Sequence, residues 1–236
     1  MARATVRGKE HTRLDKNNQD ALGVEVDESA LIAVVCDGCG SSPESEVGAQ
    51  IGRRLFVDAC RSELLRADLD EGAWERIRLR ILAGLALVAE TLGCGAQAVH
   101  ECLLFTLVGA VVTPQTTSVV AAGDGVVLLN GERLRLGPFA DNAPPYVAYD
   151  LLGAGIEPVR FDALKRMRTA ELDSLVLATD GFEEFLAQGQ PFWLEERNFG
   201  NPDALRRRLS LLARQPAVGT DDTSVIVIRR KAGERS

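Results

Sequence analysis

The chain has 236 residues, 46% of them hydrophobic and 26% charged, with 27 basic against 34 acidic residues and a net charge of −7. That profile is ordinary for a globular protein and lacks the basic excess of an extended nucleic-acid surface. The apolar runs 31–36 and 107–112 fall far short of the roughly 18 residues of a membrane span, so neither nucleic acid nor membrane is expected as a partner.

In chain order, residues 3–8 alternate weakly and are expected to form a first strand, followed by a polar loop over 9–19. Residues 21–26 and 31–36 read as a hairpin turning at Asp27-Glu28-Ser29. A helix is predicted next, with Ser42 as N-cap, Pro43 at its first position and Glu44 and Glu46 at its positive end. Val47, Ile51, Leu55 and Ala59 recur along it at helical spacing. A second helix is predicted over 71–91, with Ile77, Ile81, Leu85 and Val88 on one face. Aliphatic and β-branched runs at 103–113, 117–122 and 126–129 then predict a meander, turning at Gly123-Asp124-Gly125 and Asn130-Gly131. Residues 137–157 read as a long surface excursion and 158–161 as a short strand. A buried strand at 174–179, a helical turn at 181–188, a surface helix at 203–213 and a closing strand at 224–228 complete the order. Strands and helices in runs, without βαβ alternation, predict an α+β fold in one domain over 1–236, with helices covering sheets.

Four acidic positions share one setting. Asp37 follows AVVC, Asp124 follows VVAAG, Asp180 follows LVLAT, and Asp221 precedes TSVIVI. Each stands where a buried strand emerges. If those strands are neighbours, the carboxylates converge, repel one another and need cations. Ligation by oxygen alone suits Mg²⁺ or Mn²⁺. No glycine-rich phosphate loop precedes a helix, which disfavours a nucleotide-binding fold.

The ordered set Asn18-Gln19-Asp20, Val35-Cys36-Asp37-Gly38, Thr106-Leu107, Gly123-Asp124, Ala178-Thr179-Asp180-Gly181 and Asp221-Asp222-Thr223-Ser224 resembles the metal-dependent type 2C (PPM) serine/threonine protein phosphatases. DGCGSSPESEVGA, after the start Gly8-Lys9-Glu10-His11 and Gln19-Asp20, is similar to a compact bacterial branch of that family. The resemblance implies two antiparallel sheets packed as a sandwich and flanked by helices. It implies two Mn²⁺ or Mg²⁺ ions, with a position for a third. In that scheme Asp37 bridges both ions, the Gly38 carbonyl binds one, and Asp180 and Asp221 ligate the other. Asp20 orients bound water, and Asp124 joins Asp180 at the third position. The implied reaction is hydrolysis of phosphoserine or phosphothreonine in a protein by a metal-activated water. A serine/threonine kinase is the implied companion. The alternatives are a catalytically weak or inactive regulatory module on the same fold, and a small-molecule phosphohydrolase.

The pattern has departures. Many members carry an arginine five residues before the position of Asp20, where it holds phosphate; here Asp15 stands there. His11 and Arg13, with Lys16 beside them, are the candidates to bind phosphate instead. Eukaryotic members have a histidine where this chain has Cys39, which reads as a filler, with an oxidation-sensitive site or soft ligand as the alternative. Trp74, Trp193, Tyr146 and Tyr149 read as core or loop anchors, and Arg206-Arg207-Arg208 as a solvated helix face. Five cysteines and an N-terminus without an apolar stretch predict reduced thiols in a cytoplasm, with Cys36, Cys60, Cys94 and Cys102 as buried fillers.

Overall fold

Side-chain alternation along the strands divides the interior of the computed structural model, which describes residues 1–66, 69–93, 95–137, 139, 144–153 and 158–231. Strands β1 (Ala2–Val6), β6 (Val126–Leu129), β7 (Glu132–Leu134), β9 (Ser174–Ala178) and β10 (Thr223–Arg229) form one sheet, in the order β1-β10-β9-β6-β7. Strands β2 (Asp20–Val26), β3 (Leu31–Gly38), β4 (Phe105–Val112), β5 (Thr116–Ala122) and β8 (Asp162–Arg168) form the other, in the order β2-β3-β4-β5-β8. Every neighbouring pair is antiparallel.

Successive strand residues point to opposite faces, so each strand serves two cores. Ala33 and Val35 of β3, Val108 and Ala110 of β4, Leu175 and Leu177 of β9, and Ile226 and Ile228 of β10 pack between the sheets. The residues between them face outward onto helices. Ile32, Val34 and Cys36 meet Phe56 and Cys60 of α2 (Ser45–Leu64) and Ile77 and Ile81 of α3 (Glu71–Thr91), with α4 (Ala96–Cys102) closing that layer. On the other side, Val225 and Val227 meet Phe182, Phe185 and Trp193 together with Leu205 and Leu209 of the helix Ala204–Leu212. The layering is helix, sheet, sheet, helix.

The predicted sandwich and its long helices are present, and several local expectations are corrected. Residues 9–19 are not all loop: Lys9–Arg13 form a short helix, α1, whose backbone N–H groups at Lys9 and Glu10 donate to Gly219 and Thr220 at 3.0 and 3.1 Å. Helix α2 begins at Ser45 with Glu44 as N-cap, because the Ser42 hydroxyl donates to the His100 carbonyl at 2.7 Å instead of capping. That carbonyl belongs to α4, where no element is expected from the sequence, and the strand expected from 103 starts at Phe105. The segment 158–161 is not a strand; β8 follows it, and its sequence DALKRMR is the charged kind that guards a sheet edge. Within the excursion, Val147–Leu152 form a 3₁₀ turn with Val147 and Ala148 buried, tied to α3 through the Arg78–Asp150 ion pair. The remainder of that excursion at 138, 140–143 and 154–157, and Cys94, lie outside the described residues.

Phe56 is fully buried where α2 meets the sheet. Phe56→Ala is expected to lower the unfolding free energy by about 3–5 kcal/mol in a urea titration, through lost burial and the cavity left behind.

Candidate metal centre

At one end of the sandwich the inward positions change from aliphatic to acidic. Asp20 continues the inward parity of Leu22 and Val24, and Asp37 continues that of Ala33 and Val35. The register sets Asp20 directly across from Asp37 and Asp37 across from Thr106. The facing sheet contributes Asp180, two residues beyond the end of β9, and Asp221 and Asp222, which lead into β10. Asp124 follows the end of β5. One hydroxyl ties the two sheets at this point: Thr179 Oγ1 donates to Asp20 Oδ2 at 2.8 Å and accepts from the Ser224 backbone N–H at 2.9 Å.

Asp37, Gly38, Asp124, Asp180 and Asp221 line one pocket together with His11. Asp20 lies behind them and is buried, at 3% exposure. The cavity measures about 170 Å³, below the roughly 300 Å³ at which sites for drug-sized ligands begin. It suits a phosphoryl group with ions, the rest of a substrate lying outside. No lysine or arginine is among its described lining residues.

Charge is therefore uncompensated from within. Burial, then the neighbouring Asp20 and Asp180, holds the Asp37 carboxyl well above the usual range. Burial does the same to Asp20 against the Thr179 hydrogen bond, with Asp222 and Asp180 adding to it. Asp124 is pushed up to about 6 by burial and by Asp180. Asp221, nearer the rim, is raised by partial withdrawal from water and by Asp180 and Asp222. Asp20 Oδ1 and Asp180 Oδ1 are buried without a hydrogen-bond partner. Unpartnered carboxylate oxygens among crowded like charges fit a hard divalent cation. Among the described residues no three His, Cys, Asp or Glu side chains close around a single point. An ion here would thus take one or two carboxylates, the Gly38 carbonyl and waters, which is how Mg²⁺ is usually held.

Two glycines allow the acidic loops to approach. A Cβ on Gly181 would stand 2.1 Å from the Asp222 carbonyl oxygen, and one on Gly8 would stand 2.4 Å from the Asp221 carbonyl carbon. The glycine after Asp180 is therefore needed for loop contact, which its position in the motif alone did not reveal.

Asp222 is occupied by the protein itself. Its Oδ1 accepts from the Gly8 N–H at 2.6 Å, and its Oδ2 from the Gln19 N–H at 2.5 Å and His11 Nδ1 at 2.8 Å. This buried carboxylate latches the N-terminal segment and holds the His11 ring at the pocket. The structure does not bring the other phosphate candidate there: Arg13 is exposed and turned back on its own helix to pair with Glu10 at 2.7 Å. Lys16 is nearer, its Nζ donating to the Gly40 carbonyl at 3.3 Å. Asp15 is exposed, at a positive φ of 54°, and does not line the pocket. Gln19, Thr106, Asp222 and Tyr146 line it; sequence reasoning gave none of them a task in the site and read Tyr146 as a core or loop anchor. Asp222 had a signal in its place beside Asp221; Tyr146 had none.

Cys39 lines the same pocket. Burial pushes its thiol up, but hydrogen bonding with Ser41, Tyr146 and Ser42 outweighs that and lowers it. Cys36 and Cys39 stand in Cys-x-x-Cys spacing, and Cys36, Cys39, Cys60 and Cys102 are all free thiols. Cys36 and Cys60 are wholly buried and Cys102 nearly so, as fillers of the helix-covered core.

The raised carboxyls set the sign of a pH effect. A carboxyl with a folded pKa above its unfolded value of about 3.9 keeps a proton that the unfolded chain has released. Stability then falls as pH rises through that window, which for Asp124 closes near 6; Asp20 and Asp37 act in the same direction. In chelator, the thermal midpoint is expected to be lower at pH 6.5 than at pH 4.5, and Asp124→Asn to reduce the difference. A midpoint that climbs over this range in chelator contradicts the assignment.

The family model for protein phosphatase 2C matches residues 7–209. Its reach ends before Asp221, whose place is given by the structure. A comparison with curated protein sequences returns no match. Among solved structures, serine-threonine phosphatase 2C from Toxoplasma gondii superposes with a TM-score of 0.68 at 17% identity, covering 98% of this chain and 94% of that one. Serine/threonine phosphatase Stp1 from Staphylococcus aureus gives 0.63 at 16% identity, with 98% and 94% covered. The catalytic domain of the serine threonine protein phosphatase PstP, solved in complex with two manganese ions, gives 0.57 at 17% identity, with 96% and 95% covered. With this sandwich, this acidic pocket and a family match over most of its length, the chain belongs to the protein phosphatase 2C family.

Proposed function

We propose that this protein is a Mn²⁺- or Mg²⁺-dependent phosphatase that removes phosphate from serine and threonine residues of proteins. The observation that carries the reading is the meeting of Asp37 from one sheet with Asp180 and Asp221 from the other, in a pocket with orphaned buried carboxylate oxygens. The two manganese ions of the PstP structure support it.

In this reading Asp37 and the Gly38 carbonyl, with Asp180 and Asp221, hold two ions, and Asp124 with Asp180 offers a place for a third. Bound there, such ions would lower the pKa of a coordinated water and offset charge on the phosphoryl oxygens. The chain's own groups do the rest. Asp20, fixed by Thr179, is an acceptor placed behind the pocket to orient water. Asp222 takes up one ring nitrogen of His11, which leaves the other to meet phosphate. The crowding of the acidic residues keeps other anions out until cations are present. An inactive module on the same fold is disfavoured, because the whole carboxylate set is retained. A phosphoprotein substrate, a kinase companion and a cytoplasmic location belong to the same proposal, the last on the free thiols.

Purified protein with Mn²⁺ is expected to hydrolyse p-nitrophenyl phosphate and a phosphothreonine peptide. Asp37→Asn or Asp180→Asn is expected to lower kcat/KM by several kcal/mol of barrier, roughly 1,000-fold or more. Binding of Mn²⁺ measured by calorimetry should weaken in the same variants. Metal binding without turnover would select the inactive module instead. His11→Ala is expected to raise KM about tenfold, the worth of one charge-assisted hydrogen bond, with a smaller change in kcat. An unchanged KM would remove His11 from the phosphate site.

A further inference from the structure

One demand of the chemistry is not met by the carboxylates. When a phosphoserine ester is cleaved, the P–O electron pair goes to a side-chain oxygen, which needs a hydrogen-bond donor as it departs. Ionised carboxylates only accept. The other side chains lining the pocket that carry donors are His11, Gln19, Thr106, Cys39 and Tyr146. His11 is engaged by Asp222 and assigned to phosphate. Gln19 is buried, at 2% exposure, and its Nε2 donates to the Ser42 carbonyl at 3.0 Å. The Thr106 hydroxyl is spent on Asp124. Tyr146 differs in its partner: its hydroxyl is bonded to the Cys39 thiol beside it, and sulfur is a weak acceptor that an oxygen carrying developing charge would displace.

Tyr146 is also held firmly. Its backbone is extended, with φ −98° and ψ 134°, and runs into the Val147–Leu152 turn. Val147 and Ala148 are completely buried there, and Asp150 is anchored to Arg78. The Tyr146 ring meets Tyr149 edge-on, with centroids 5.2 Å apart and planes at 78°. A fixed ring keeps its hydroxyl in one place, which is what a catalytic donor requires.

We propose that Tyr146 is a catalytic residue, its hydroxyl donating a hydrogen bond to the serine or threonine oxygen as that oxygen leaves phosphorus. This rests on the phosphatase reading above. The balance is that of simple hydrolysis. The attacking water gives its oxygen to phosphate and, through solvent, one proton to the departing alcohol, while Tyr146 retains its own. Burial, with the Cys39 thiol beside it, holds the phenol well above the usual tyrosine range, so it remains a donor.

The test is Tyr146→Phe, which keeps the ring against Tyr149 and removes only the hydroxyl. With Mn²⁺ present, kcat/KM is measured on p-nitrophenyl phosphate, phenyl phosphate and a phosphothreonine peptide, in order of worsening leaving group. The loss is expected to grow along the series. It should be less than about threefold on p-nitrophenyl phosphate, whose anion departs unaided, and more than about tenfold on the peptide, the worth of one hydrogen bond to developing charge. Tyr149→Phe, altered in the same packing but outside the pocket, should show no such slope. An equal loss on all three substrates, or none, would overturn the role of Tyr146 and leave the phosphatase standing. Wild-type protein inert on all three would overturn both.

Discussion

Everything at this site depends on one constraint: two sheets packed face to face must fill the space between them from alternate residues of each strand. Along most of the sandwich those residues are Ala, Val, Leu and Ile. At one end the same parity runs into Asp20, Asp37 and Asp222, so the acidic cluster is the continuation of a hydrophobic core. Burial that stabilises the aliphatic stretch makes the acidic stretch costly, and neighbouring like charges add to that cost. The fold holds this end together with fixed donors, Thr179 to Asp20 and three groups to Asp222, and leaves Asp20 Oδ1 and Asp180 Oδ1 open. Those open oxygens are what the proposed cations would meet, and a merely polar end of a sandwich would not offer them.

The two adjacent aspartates of the 221–222 pair divide the work. Asp221 faces the pocket, whereas Asp222 is turned into the protein and clasps Gly8, Gln19 and His11. The clasp joins the first and last parts of the chain, which also pair as β1 and β10. It sets which N-terminal side chain reaches the pocket. His11 is held toward it, while Arg13, two residues on, faces away on the same short helix. Tyr146 enters by another route, from a buried turn pinned on α3. The carboxylates therefore sit on strands and strand ends, and the groups proposed to meet the substrate come from segments docked onto them.

Much of this was legible in the sequence, because strand burial and helix amphipathicity are local patterns of period two and 3.6. The long helix over 71–91 and the inner strands emerged in that way, and so did the four acidic positions at strand ends. Short or edge elements did not. Helix α4 has seven residues, and its apolar side runs without a break into the next strand. Strands β7 and β8 lie at sheet edges, where charged residues replace the aliphatic pattern. Ser42 has the chemistry of an N-cap, and only a carbonyl 58 positions away diverts it.

The sequence by itself determined the composition of the two faces of each strand and the carboxylates at the ends, since both follow from residue type and spacing. Its likeness to the type 2C phosphatases supplied the roles expected for Asp20, Asp37, Asp124, Asp180 and Asp221. Tertiary structure alone decided the register that sets Asp20 across from Asp37 within the expected hairpin, and that Asp180 and Asp221 meet them from the other sheet. It also decided that Asp222 is a latch, that Arg13 is turned to solvent, and that Tyr146 stands at the pocket. The reason is physical. A side chain's task depends on its partners across the fold, and those contacts, 203 and 214 residues apart for Asp222, are set by packing and not by any local pattern.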